Sequence, residues 1–224
     1  MIKRFFLIVF ALCFSFIFSQ KNKKEKDLLE GYSTLHGKIN KNYQPISLGQ
    51  RIKNYPFNKA SKIKIVSYNL DFAKKYSYEP PPPPPQTKDD SIKLKEFYNR
   101  SKPIDFREIL ESPFEKDLIK YKTLNLEEIS KLSHIIFNTC EKYYITMRSQ
   151  VGCFFPRNAI VFYDEADKVF ERIEVCFECG NLESYPSEFL NWKNTCEFIY
   201  PELEKFFQSK GLQTQYASKN NETK

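Results

Sequence analysis

The chain has 224 residues, a formal charge of +7 from 35 Lys and Arg against 28 Asp and Glu, and 16% aromatic residues. That charge is mild and spread out apart from a Lys-rich run at 21–26, whereas nucleic-acid binders concentrate basic residues on one face, so a nucleic-acid partner is not expected. Twenty-one Phe and 14 Tyr suffice for a substantial core, while two His leave little for His-based catalysis or metal ligation.

At the N-terminus, Lys3 and Arg4 precede the apolar residues 5–18, and Ser19-Gln20 follows before the charged run. A membrane span needs about 20 apolar residues, so this stretch reads as a cleaved signal peptide at 1–19. The expected destination is the periplasm or the medium, with membrane contact only through that signal. A lipid anchor at Cys13 is the alternative. It is disfavoured because Leu12, not a small residue, stands before the cysteine.

Residues 20–60 are polar, Lys- and Asn-rich and without a sustained period, which reads as a loosely ordered arm. A single α+β domain is expected at 61–212. It begins with a strand at 62–70, where Lys-Ile-Lys-Ile alternates. Pro80 to Pro85 is an unbroken run of six prolines inside an insertion loop at 79–88. It has no backbone donors, favours polyproline II, and reads as a stiff spacer rather than a recognition ligand. Short helices are expected at 91–100 and 105–112.

Residues 126–140 carry the strongest helix signal. Asn125 and Glu128 make a capping box, Leu124 can staple onto Ile129, and Leu126, Ile129, Leu132, Ile136, Phe137 and Cys140 form an apolar stripe. A strand is expected at 142–148. Near the C-terminus, Pro201 and Gly211 bracket a helix with Leu203, Phe206 and Phe207 on its apolar face. Residues 213–224 read as a disordered tail.

Between these helices lies a cysteine-bearing hairpin at about 157–177. Its strands are 159–163 and 169–177, joined by the turn formers Asp164-Glu-Ala-Asp-Lys168. On the second strand Val169, Ile173, Val175 and Phe177 are apolar and Arg172, Glu174 and Glu178 are charged, so the odd face is expected inward. Ala159, Val161 and Tyr163 are then its mates. The register that pairs Asp164 with Lys168 places Cys153 opposite Cys179 and Pro156 opposite Cys176. A Cys153–Cys179 bridge would staple the hairpin's open end.

Four readings of the cysteines stay open. They are a structural disulfide among Cys153, Cys176 and Cys179; a redox pair in Cys176-Phe-Glu-Cys179; a zinc site from Cys140, Cys153, Cys176 and Cys179; and plain buried thiols. The redox reading is weakened because the pair ends a strand instead of opening a helix. The zinc reading is weakened because only one close C-x-x-C pair exists. With residues 1–19 removed, the odd number of cysteines leaves at least one outside any internal bridge. Arg157 is a candidate clamp for a carboxylate or phosphate through its planar fork, or else pairs with Glu174 or caps a turn.

The segment Cys153-Phe-Phe-Pro156-Arg157-Asn-Ala-Ile-Val-Phe-Tyr163-Asp164, followed by Ile173-Glu-Val-Cys176-Phe-Glu-Cys179, resembles a pattern of exported hypothetical proteins of Bacteroidota-type bacteria. The resemblance spans residues 124–212 and implies a shared domain without an established activity. No hydrolase triad signature, phosphate-binding loop or His-Glu-x-x-His motif is present. The expectation is therefore a non-enzymatic structural or interaction domain with a protein or cell-envelope partner and no cofactor. A thiol-redox or zinc protein is the alternative.

Overall fold

The computed structural model describes residues 36–72, 82–99, 103, 106, 120–144, 146, 153–191 and 193–216. The expected signal peptide, residues 20–35 of the arm, Pro80 and Pro81, the helix at 105–112 apart from Phe106, and residues 217–224 lie outside them.

The chain divides into two compact units. In the smaller, Ile39 and Tyr143 form an antiparallel bridge, flanked by Asn40 N–H donating to the Lys142 carbonyl at 2.9 Å and Tyr144 N–H to that of Lys38 at 3.1 Å. Of the strand expected at 142–148, residues 145, 147 and 148 lie outside the described residues, and the others show that bridge.

Among the described residues, the larger unit holds a five-stranded antiparallel sheet and four named α-helices, an α+β domain. Its elements are α1 (Leu48–Arg51), β1 (Lys62–Ser67), α2 (Lys88–Asn99), β2 (Lys120–Thr123), α3 (Leu126–Asn138), β3 (Asn158–Tyr163), β4 (Val169–Cys176), β5 (Asn181–Tyr185) and α4 (Ile199–Gln208). The strand order is β2-β1-β3-β4-β5. This unit starts at Pro45, so part of the expected loose arm belongs to the domain. Arg51 is buried and ties α1 to α3, with Nε donating to Ser133 Oγ at 3.1 Å and Nη2 to the Ser130 carbonyl at 3.2 Å. The Phe57 ring lies 5.4 Å from that of Phe162. Polar composition conceals these two anchors.

One sheet face carries the main core. Ile63, Ile65, Ile160, Phe162, Ile173, Val175 and Leu182 meet Leu132, Ile135 and Ile136 of α3 and Leu203 and Phe207 of α4. The capping box of α3 forms as expected, with Asn125 Oδ1 accepting from Glu128 N–H and Glu128 Oε2 from Asn125 N–H, both at 2.9 Å. Leu126, by contrast, is 85% exposed: the stripe begins with the partly buried Ile129 and runs through the buried Leu132, Ile135 and Ile136. Residues 213–216 are not frayed. The Gln213 carbonyl accepts from Ser67 Oγ at 2.8 Å and Asn158 Nδ2 at 2.9 Å, and Thr214 Oγ1 donates to Glu204 at 2.8 Å. Residues 82–86 carry no helix or strand, and Pro83, Pro84 and Pro85 are exposed.

The hairpin register differs from expectation. Tyr163 does pair with Val169, but a bulge follows, and the ladder continues as Phe162 with Glu171, Ile160 with Ile173 and Asn158 with Val175. Phe170 is the extra residue and packs against the main core. The core mates of Ile173 and Val175 are therefore on the even face of β3. Ala159, Val161 and Tyr163 lie on the other face, in a satellite cluster with Val66, Tyr68 and Phe106. The reason is that β3 is buried on both faces and apolar from Ala159 to Tyr163, so alternation carries no face label there. The ladder ends at Asn158, and Cys176 faces Asn181 of β5, not Pro156.

Glu128 is buried beside two lysines, Lys122 at 2.9 Å and Lys210 at 3.0 Å. The Asn125 N–H and these ammonium groups hold its carboxyl down at about 2, against the penalty of burial. A depressed carboxyl contributes stability that is complete above its unfolded value of about 4.3 and is lost as pH falls toward the folded value. Glu128→Gln should thus lower Tm at neutral pH, and the melting curves of the two proteins should converge as pH approaches 2. A constant Tm gap across that range would contradict this assignment.

Candidate functional site

The two disulfides divide four cysteines. Cys140, just past α3, bonds Cys196, just before α4, with Cα atoms 5.6 Å apart. Cys153 bonds Cys179 at a Cα separation of 5.9 Å and staples the open end of the hairpin. Cys179 reaches that position through a 3₁₀ turn, Phe177–Cys179, which ends at Gly180. Gly180 has φ of 56°, a left-handed conformation that costs a glycine little, and the chain turns there into β5. In the chain-entropy picture the two loops are worth about 4 and 3.5 kcal/mol.

Cys176 is buried and outside both bridges. The Cys-x-x-Cys pair is not bonded to itself, since Cys179 joins Cys153. Of the four cysteines weighed as zinc ligands, three are in disulfides, where sulfur has no thiolate to offer.

Arg157 is 2% exposed. Its Nε donates to Glu178 Oε1 at 3.0 Å and its Nη1 to the Asn69 carbonyl, while Nη2 is buried with no protein acceptor. Its partner is Glu178 and not Glu174. The guanidinium also stacks 4.8 Å from the Phe155 ring centre. Asp164, next to the hairpin turn, accepts from Ala166 N–H at 3.0 Å and Lys168 N–H at 2.9 Å, which is the work of a turn former.

Asn69 and Phe155, both touched by Arg157, line a groove of about 670 Å³ on the satellite face of the sheet. That volume lies within the range of small-molecule sites. Tyr68 and Tyr185 add aromatic surface, and Arg172, Lys193, Glu174, Glu183 and Glu188 add charge. Arg172 is 6% exposed, although the strand pattern places it in solvent. Its Nε donates to Glu174 Oε1 at 2.7 Å, and its guanidinium carbon sits 4.4 Å from the Tyr185 ring centre. Tyr68 Oη donates to Glu174 Oε2 at 3.4 Å. Glu183 stands directly opposite Glu174 across the β4–β5 ladder. Like charges in that relation repel, and the Arg172 guanidinium offsets it.

A second buried acid, Glu171, lies elsewhere. It is on the Phe162 side of β4 and accepts from Tyr55 Oη. Burial and this carboxylate push the Tyr55 hydroxyl up to about 12.

Sequence reasoning missed Arg172, Glu174, Glu183 and the aromatic wall. The usable signal was the Arg-x-Glu pair on a strand facing a wholly apolar one, which puts both charges beside buried Val161 and Ala159. No protein-family model matches the chain, and neither a curated protein nor a solved structure matches it.

Arg157 backs the Phe155 wall, so its loss should be felt as stability. Arg157→Met strips the donors from Glu178 and the Asn69 carbonyl. It should cost about 2–4 kcal/mol, a little below a fully buried pair because Glu178 is partly exposed. Urea unfolding checks it, and a change under about 0.5 kcal/mol would show that the ion pair is dispensable.

Proposed function

We propose that this chain is an exported, non-enzymatic binding domain, working in the periplasm or the medium, whose groove beside Arg172 receives its ligand. The observation that carries the export part of the reading is the pair of disulfides, which join cysteines far apart in sequence and leave Cys176 buried. Such bridges persist in oxidising compartments and are rare where glutathione keeps thiols reduced. Lys3, Arg4 and the apolar residues 5–18 supply a matching export signal. Among the described residues, no helix is long and apolar enough to cross a membrane. The groove combines an aromatic wall with a few convergent polar groups, as ligand sites do.

Thiol counting tests the reading. Expressed with its N-terminus intact, the protein should be recovered from the periplasm or medium with a mass beginning near Gln20. Unfolded without reductant, it should take one alkyl group, on Cys176. After reduction it should take five, because Cys13 leaves with the signal. Five alkyl groups before reduction, or a mass that retains residues 1–19 in the cytoplasm, would sink it.

A further inference from the structure

Arg172 is unusual among the buried groups of this domain. Nine-tenths of it is removed from solvent, yet only its Nε meets a protein acceptor. Among the described residues, Nη1 and Nη2 donate to nothing, and they belong to a residue that lines the groove. A guanidinium has five N–H donors, and the Arg172 terminal nitrogens, unlike Arg157 Nη2, are not among the fully enclosed unpaired atoms, so the fork opens onto the groove. Glu174 on one edge and the Tyr185 ring on one face hold the plane in place. That leaves the terminal fork, the edge that grips a carboxylate through two parallel hydrogen bonds.

Among the described residues, a bare anion at this fork faces three carboxylates lining the groove, Glu174, Glu183 and Glu188, against one further cation, Lys193. Glu183 lies diagonally across the ladder from Arg172, because Arg172 faces Tyr185 and Glu174 faces Glu183. Its carboxylate is exposed on the groove. Diagonal neighbours stand about 7–8 Å apart at Cβ. A ligand carrying an ammonium next to its carboxylate satisfies both groups. Two charge-assisted hydrogen bonds of about 2.8 Å, in series with the span of one α-amino acid, cover that gap. Tyr68, Phe155 and the Tyr185 ring then offer an apolar and π surface to the side chain.

We propose that this groove binds a zwitterionic α-amino acid with an apolar or aromatic side chain. Arg172 takes the carboxylate and Glu183 the ammonium. The proposal rests on the binding-domain reading above and deepens it.

Isothermal titration of the oxidised protein with four probes tests it. The probes are L-phenylalanine, N-acetyl-L-phenylalanine without the ammonium, phenethylamine without the carboxylate, and L-alanine without the ring. L-phenylalanine should bind, and each of the others should bind at least about tenfold more weakly, a difference of about 1.4 kcal/mol. Glu183→Gln, at an exposed position, should remove the preference for L-phenylalanine over its N-acetyl form while the fold is kept. Arg172→Gln should remove the preference over phenethylamine. Equal binding of L-phenylalanine and its N-acetyl form, equal binding of L-phenylalanine and phenethylamine, or no heat from any probe with a natively folded sample would overturn the proposal. The thiol count on the same sample reports separately on the exported, disulfide-bonded state on which that reading stands.

Discussion

Strand β3 is buried on both faces along its whole length, and the rest of the domain is arranged around that fact. It sits third of five strands, and hydrogen bonds to β1 and β4 satisfy its backbone on either side. Its even face presses Ile160 and Phe162 into the layer made by α3 and α4. Its odd face lies under Tyr68 and Phe106. A strand so placed must be apolar throughout, and 159–163 is. At its start, Asn158 is the polar exception. It is buried and holds the Gln213 carbonyl, so the C-terminal segment is tied down at the strand end.

The two sheet faces differ in chemistry because of the bulge at Phe170. The extra residue sends one more aromatic ring into the main core and shifts the phase of β4 relative to β3. Arg172 and Glu174 then fall beside Val161 and Ala159 on the satellite face, instead of in solvent. A buried ion pair usually does no better for stability than well-packed apolar residues of the same volume. The pair is better understood as a means of fixing the guanidinium plane at the groove. Bulges recur where a strand must re-aim its side chains, and this one does so.

The ends of the sheet are managed separately. β5 is covered by its own return, with Ser184 N–H donating to the Leu190 carbonyl at 2.8 Å and Ser184 Oγ accepting from Leu190 N–H at 2.9 Å. β2 is short and carries Lys120 and Lys122, features that blunt an edge against pairing with another chain. The disulfides act at other weak points. One joins the two helices that cover the main core, and the other closes the hairpin beyond the last ladder pair.

What the sequence determined by itself was local. The capping box of α3, the helix between Pro201 and Gly211, the Asp164 turn and the existence of the hairpin all follow from interactions between residues a few positions apart. The Cys153–Cys179 pairing, one of four readings the cysteines left open, agrees with the structure although the register it was inferred from does not: a 3₁₀ turn carries Cys179 past the ladder to Cys153. β2 and β5 were not legible, since strands of four and five residues with polar alternation are stable only against their neighbours. Tertiary structure alone decided which face of β3 meets the helices, that Arg51 and Phe57 belong to the domain, and that Arg172 is buried. Each depends on one inserted residue or on a partner far along the chain, 82 positions for Arg51 and Ser133, and a periodic pattern in a single strand has no means of recording either.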